Sequence, residues 1–334
     1  MKILVIGGGQ FVGWHFVEAA VARGHALTLF NRGNGIVPPG VAHIRGDRRG
    51  DLSMLAGHRF DAVVDVCGYL PGEVARMAER LQGQVGRYLF VSSVSVYADF
   101  TRANDESSAV ATIEDTDTEV VDGRTYGALK ALCEATLQHR WTGSQTLIVR
   151  PGLVVGPREQ TRRFAYWPAR IERAAPGEPV LAPGTPADAV QFIDARDLAA
   201  FMLGALEQAL SGVYNVVTPP GGLTIGGLLD TCARAAGTQP RWTWADAQAV
   251  ERLGLRDWLD LPVWMSPLGD HSAIAQVSDA RARAAGLTVR PLDQTVADTL
   301  GWLRSLPADE RALVKAGLTA EREAAALASL EAPA

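Results

Sequence analysis

Short apolar runs and amphipathic stretches alternate along the first 150 residues of the chain. Runs rich in β-branched and aromatic residues occupy 2–7 (KILVIG), 26–30 (ALTLF), 41–46 (VAHIRG), 62–67 (AVVDVC), 87–93 (RYLFVSS) and 146–152 (TLIVRPG). They are nearly continuous in hydrophobicity rather than alternating, which predicts strands buried on both faces, as in a parallel sheet. Between them the spacing predicts helices over 11–23, closed by Gly24, over 73–82 and over 126–139. Strand and helix in turn is the pattern of βαβ units.

After Pro151 the texture changes to a stretch heavy in proline, arginine and aromatics (157–188), read as loop-rich and as the start of a smaller lobe. A helix beginning near Asp194 and a strand at 212–217 (GVYNVV) return the chain to the sheet. Thr224 is a candidate N-cap for a helix through Ala236, and the Trp-rich stretch 241–264 falls to the second lobe. The expected division is 1–152 plus 191–218 for a dinucleotide-binding domain and 153–190 plus 219–320 for a substrate-binding lobe. An alanine- and glutamate-rich tail, 321–334, is read as a frayed terminal helix.

Composition narrows the function classes. With 47% hydrophobic residues, 34 glycines and a net charge of −5, the chain reads as an ordinary α/β protein without a field that would gather nucleic acid or an anionic membrane. The run from Ile3 to Ile6 is too short for a signal segment or a span, so the expected address is cytoplasmic. Cys67, Cys133 and Cys232 are odd in number and far apart, which argues against a disulfide framework or a zinc site.

The loop VIGGGQFVG (5–13) follows a strand and opens a helix, the setting a dinucleotide-binding turn requires. Its usable glycines are Gly7, Gly9 and Gly13, and with Gln10, Phe11 and Val12 they form a cradle for a pyrophosphate at the positive end of the helix. Alone, the loop is equally a glycine-rich turn. At the end of the second strand an acidic residue would hold the adenosine ribose. This chain has Asn31 and Arg32 there, with Arg48 after the third strand, which favours a 2′-phosphate and hence NADP(H) over NAD(H). A solvated loop arginine is the other reading. Gln10 is expected over the adenosine end, as a donor to that phosphate.

Tyr126 and Lys130, in YGALK, stand i and i+4 on one face of a helix. A phenol of ordinary pKa about 10 is a poor base at neutral pH. A nearby ammonium favours the phenolate, and Ser93, at the end of the fifth strand, is placed to hydrogen-bond a substrate oxygen. Tyr69, Ser95, Arg158, Trp167 and Gln191 are candidate substrate contacts. In the basic-aromatic stretch Arg158, Arg162, Arg163 and Arg170 suit a diphosphate clamp, against the reading of a solvated loop whose aromatics pack on the core.

Taken together, VIGGGQFVG, Gly46-Asp47, SSVSVY (92–97), YGALK, RPGLVVGP (150–157), QFIDARDLA (191–199) and GVYNV resemble the extended short-chain dehydrogenases/reductases of the NAD-dependent epimerase/dehydratase type. The match runs in order to about residue 217 and less distinctly to about 300. The resemblance implies an α/β Rossmann-type doubly wound parallel sheet with a smaller C-terminal substrate-binding lobe. It implies Ser93 as the catalytic hydroxyl, Tyr126 as the base and Lys130 as the ribose-binding lysine. Asp47 would lie near the adenine, Cys67, Gly68 and Tyr69 beside the cofactor, and Pro151 beside the nicotinamide. A secondary alcohol or ketone, often part of a nucleotide-sugar, is the implied substrate, and a homodimer the family-level expectation. The glycine loop, with Gln10 for the usual middle glycine, is closer to an atypical branch that holds loosely described reductases and epimerases and chloroplast stem-loop RNA-binding proteins. Ser93-Val94-Ser95 lacks the Asp-Glu pair of sugar-nucleotide dehydratases, so dehydration is the least expected reaction. Three readings stay open: a reductase or epimerase, a nucleotide-sugar 4-epimerase with tightly held NAD, and a cofactor-binding protein without catalysis that binds RNA or acts as a sensor.

Overall fold

In the computed structural model, which describes residues 1–331, the apolar runs assemble into one parallel sheet of seven strands. They are β1 (Lys2–Ile6), β2 (Ala26–Asn31), β3 (Ala42–Arg45), β4 (Phe60–Asp65), β5 (Val85–Val91), β6 (Thr146–Pro151) and, after three short strands elsewhere, β10 (Gly212–Val216). The order β10-β6-β5-β4-β1-β2-β3 reverses direction between β1 and β4, which leaves a crevice beyond their C-terminal ends.

Side-chain alternation splits each central strand between two cores. Ile3 and Val5 of β1, Ala62 and Val64 of β4, and Leu89 and Val91 of β5 face one layer, formed by α1 (Phe11–Ala22) and α5 (Ala195–Glu207). Leu4, Ile6, Val63, Tyr88 and Phe90 face the other, formed by α2 (Pro71–Leu81) and α3 (Tyr126–Arg140). The expectation that all six early runs are buried on both faces fails at β3. It is the edge strand, and its Ala42, His43 and Arg45 are exposed. A bidentate pair between Arg150 of β6 and Glu134 of α3, buried on both sides, locks α3 to the sheet.

The remaining strands are short. β7 (Leu153–Val155) pairs with β9 (Phe192–Asp194), and β8 (Pro179–Pro183) pairs with β11 (Arg241–Ala245). α4 (Arg163–Glu172), α6 (Ile225–Ala236) and α9 (Leu292–Ser305) pack together, and the side chains around Trp167 and Trp264 form a separate core. Three further short helices, α7 (Ala247–Arg252), α8 (Ala280–Ala284) and α10 (Ala308–Ala312), and a terminal one, α11 (Ala320–Glu331), complete the chain. The cap expected at Thr224 forms, its Oγ1 accepting from the Gly227 amide at 3.1 Å, and Asp194 caps α5 by accepting from the Arg196 amide.

One expectation for this half is extended and one corrected. The stretch after Pro157 is loop-rich, but it also carries a helix that the sequence did not predict. The buried Glu159 carboxylate accepts the backbone N–H groups of Arg163, Phe164 and Ala165 and so starts α4, whose Phe164, Trp167 and Ile171 face the core despite Pro168 inside the helix. The terminal helix is not frayed up to Glu331. Leu327 and Ala326 join the lobe core, and buried Glu323 accepts the Leu181 amide at 3.1 Å and pairs with Arg170. Residues 332–334 of the expected tail lie outside the described residues. No helix among the described residues is long and apolar enough to cross a membrane.

Candidate active site

The loops at the C-terminal ends of β1, β4, β5 and β6 carry the candidate residues to one crevice. After β1 the chain turns through Gly7 and Gly8, both at positive φ. Gly8 was not singled out in the sequence, yet it is the residue the turn demands. Its φ is +79°, a Cβ there would come within 2.8 Å of Leu29, and a Cβ on Gly13 would meet the Gly8 backbone at 2.7 Å. This close contact brings the start of α1 onto β1. The first N–H groups of α1, those of Phe11, Val12 and Gly13, have no carbonyl within the helix and point to where a diphosphate would sit. Gly9 packs against Gly35, so the segment after β2 folds over the turn. Gln10 is the exposed N-cap residue and makes no side-chain hydrogen bond to its helix.

At the end of β2, the Asn31 Nδ2 donates to the Gly7 carbonyl at 2.8 Å, and its Oδ1 accepts from the Gly33 amide and sits 3.0 Å from His43 Nε2. It ties the glycine turn to the segment that follows, its acceptor taken up and one N–H left over. Arg32 is exposed, its carbonyl held by Arg45 Nε and its guanidinium without a protein partner among the described residues. Asp47 is exposed and accepts from the Arg49 amide.

Arg48 is a correction. It does not reach outward for a phosphate. It is buried and makes a bidentate pair with Asp65 at 3.0 and 2.9 Å, with the Tyr88 hydroxyl donating to the same carboxylate. Burial alone would raise the Asp65 carboxyl, but Arg48 and these donors hold it below the ordinary carboxylate range. The physical reason is that Asp65 ends a buried strand and needs a cation more than a solvent-exposed phosphate site does. Asp65 also accepts the Cys67 amide at 3.2 Å, and so the pair braces the loop Cys67, Gly68 and Tyr69. Burial pushes the Cys67 thiol up to about 11, leaving it protonated at neutral pH.

Ser93 follows β5, with its Oγ accepting the Ser95 amide and donating to Ser95 Oγ at 3.0 Å. Tyr126 opens α3, which packs against this turn. Gly127 permits the approach, since a Cβ there would run into the Ser95 carbonyl oxygen. Gly127→Ala is expected to push the first turn of α3 from its seat and to lower stability by about 1–3 kcal/mol. A thermal melt indistinguishable from wild type would contradict that packing.

Lys130 lies one turn below, fully enclosed. Its Nζ donates to the carbonyls of Gly68 and Val91, both at 2.8 Å, and stands 4.7 Å from the Phe90 ring centroid and 5.0 Å from that of Tyr69. Burial draws its pKa down to about 8. Tyr126 moves the other way, pushed up to about 12 by burial, with Tyr69 adding to the rise. The leading offsets come from the Ser93 hydroxyl and the guanidinium of Arg163. The Lys130 ammonium is turned toward two carbonyls and spends two of its N–H groups on them.

The candidate substrate contacts divide. Tyr69 is 45% exposed with its ring centroid 6.4 Å from that of Tyr126, and Ser95 adjoins Ser93, so both stay at the site. Pro151 ends β6 beside them. Arg158 is drawn to α1, its guanidinium 4.2 Å over the Trp14 ring. Trp167 is a correction: it is 0% exposed, with Nε1 bonded to the Pro262 carbonyl in the lobe core. Gln191 is another. Its amide donates to the carbonyls of Thr218 and Val277 and accepts from the Val277 amide, so it brackets two segments and has no N–H left for a ligand.

Known proteins bear on this arrangement. Residues 69–217 match the NAD dependent epimerase/dehydratase family, as the sequence resemblance implied. The chloroplast stem-loop binding protein of 41 kDa b from Arabidopsis thaliana is 28% identical over 259 residues, 71% of this chain, and the chain spans 63% of that protein's length. UDP-glucose 4-epimerase of Thermotoga maritima, solved with UDP-glucose, superposes with a TM-score of 0.66 at 18% identity, covering 91% of this chain and 99% of that one. A human epimerase family protein solved with NADPH gives 0.60 at 22%, covering 90% and 99%. At these identities the solved structures establish the shared fold.

Proposed function

Starting from an epimerase/dehydratase family segment on this fold, we propose that the protein is a nicotinamide-dependent oxidoreductase of the extended short-chain type, NADP(H)-preferring, acting on a secondary alcohol or ketone. The observation that carries the reading is the packing of Tyr126, at the start of α3, against the Ser93–Ser95 turn and Tyr69 at the sheet's C-terminal edge, with Lys130 one helical turn below. The residues present fit such a cofactor: the cradle at Gly7, Gly8 and Gly13 tolerates no side chain, and helix α1 turns free N–H groups toward it. When bound, the nicotinamide supplies or accepts the hydride.

The chain's own residues handle the oxygen. Ser93 positions it by hydrogen bonding. Tyr126, a neutral phenol at physiological pH in the cofactor-free protein, gives its O–H proton to a carbonyl oxygen during reduction and takes the proton back during oxidation. Lys130 holds Gly68 and Val91 and keeps one N–H for a ribose hydroxyl. Tyr126→Phe, which keeps the ring and deletes the proton, tests the assignment.

The preference for NADP(H) rests on the free Arg32 and on the lack of an unengaged acceptor at Asn31. Arg32→Ala is expected to lower the ratio of NADP to NAD affinity by about tenfold or more, the worth of one charge-assisted contact. An unaltered ratio rejects the reading. Gln10 belongs to the same end, and a complex with its side chain turned from the nucleotide would exclude it as a phosphate donor. The epimerase alternative, favoured by the likeness to a UDP-glucose 4-epimerase, requires NAD that survives purification. The RNA-binding alternative follows from the Arabidopsis relative. Against it stand the net charge of −5 and a lysine buried beside a tyrosine, which a pure binder does not need.

A further inference from the structure

The groups that enclose the Lys130 ammonium differ in their freedom to move. Two are the carbonyls of Gly68 and Val91, each 2.8 Å from Nζ. Another is the ring of Phe90, its centroid 4.7 Å from Nζ, and the last is the ring of Tyr69, with its centroid at 5.0 Å. Together they leave the lysine 2% exposed. A ribose hydroxyl therefore has no path to the third N–H of the ammonium until one of these groups gives way.

All but one of them are fixed. Val91 ends β5, and Phe90, the residue before it, is fully buried in the layer formed by α2 and α3. Gly68 is packed so closely that a Cβ there would stand 2.7 Å from the Phe90 ring, and the Asp65 carboxylate holds the neighbouring Cys67 amide. Tyr69 is different. Its side chain is exposed, its ring centroid stands 6.4 Å from that of Tyr126, and the attraction of a cation for an aromatic face holds it over the ammonium. We propose that Tyr69 is a gate over Lys130: its ring closes off the ammonium in the cofactor-free protein and swings toward solvent when the ribose of the nicotinamide half docks. This rests on the oxidoreductase reading of the same crevice. Tyr69 acts through Lys130 and is a positioning residue. While closed, it keeps water from the ammonium and so preserves the two carbonyl contacts that join the loop after β4 to the end of β5.

Labelling of amines by trinitrobenzenesulfonate in the cofactor-free protein, read peptide by peptide in a mass spectrometer, tests the gate directly. Lys2 and Lys315, the other lysines of the chain, are exposed and serve as internal references. With the gate open in about a tenth of the molecules or fewer, Lys130 of wild type should be labelled about tenfold or more slowly than Lys130 of Tyr69→Ala, each relative to those references. Tyr69→Phe, which keeps the ring, should protect Lys130 as wild type does. The association rate of NADPH, followed by stopped-flow fluorescence, should rise by a similar factor in Tyr69→Ala and hold its wild-type value in Tyr69→Phe, because the open fraction is what binds. This second readout is independent of stability, since a damaged fold slows NADPH binding rather than speeding it. Equal labelling of Lys130 in wild type and Tyr69→Ala overturns the proposal. So does an association rate that is unchanged or lower in Tyr69→Ala. Failure of the oxidoreductase reading shows separately, as turnover undiminished in Tyr126→Phe.

Discussion

Tyr126→Phe is expected to slow turnover by about a hundredfold to ten-thousandfold, the range for removing a positioned general acid, with NADPH affinity and melting temperature close to wild type. The phenyl ring fills the same space beside Ser93 and Tyr69, so packing is retained and only the proton is lost. Because burial holds the phenol near 12, the cofactor-free protein carries the proton throughout the physiological range and is poised for the reductive direction. Oxidation needs a phenolate, and at neutral pH it falls off unless the bound cofactor and substrate lower that value. Initial rates of both directions, measured for wild type and variant, check this. A variant as fast as wild type would remove Tyr126 from the mechanism.

Arg48→Ala is expected to have the largest effect on stability. The substitution leaves the Asp65 carboxylate inside the protein with only the Tyr88 hydroxyl and the Cys67 amide, and breaking a buried pair in this way costs about 3–5 kcal/mol. In a chain of this size that is a fall in melting temperature of roughly 4–7 °C. Asp65 has its carboxyl lowered in the folded state, so the pair's contribution is present at neutral pH. It fades as pH drops below the ordinary carboxylate range toward the folded value. Adding Asp65→Asn to Arg48→Ala should recover part of the loss. A melting temperature within a degree or two of wild type for the single variant would contradict the buried pairing.

Much of this was legible in the chain. The central strands announce themselves because both faces are apolar, and the i, i+4 spacing of Tyr126 and Lys130 places both on one face of α3. Ser93 follows from the end of a strand whose neighbours are buried. What failed shares one cause: the decisive partner is far away in sequence. An arginine after β3 looks the same whether it meets a phosphate or Asp65, although a lone aspartate at the end of a buried run was a signal that some cation must come. Helix α4 starts on a carboxylate four residues earlier and contains a proline, so local propensity reads it as loop. Gln191 and Trp167 look like ligand contacts, but tertiary hydrogen bonds to Val277 and Pro262 take up their polar groups. The direction of Lys130 is set by two carbonyls, one in the loop after β4 and one at the end of β5, which no spacing rule encodes.

The central claim is that this crevice moves a hydride while Tyr126 moves a proton. Transfer of deuterium from NADPH labelled at C4 into the carbinol carbon of a ketone substrate, followed by mass spectrometry, tests it most directly. The account predicts label in the product with wild type and about a hundredfold less or lower with Tyr126→Phe at equal cofactor occupancy. Label appearing at the wild-type rate in the variant would contradict it.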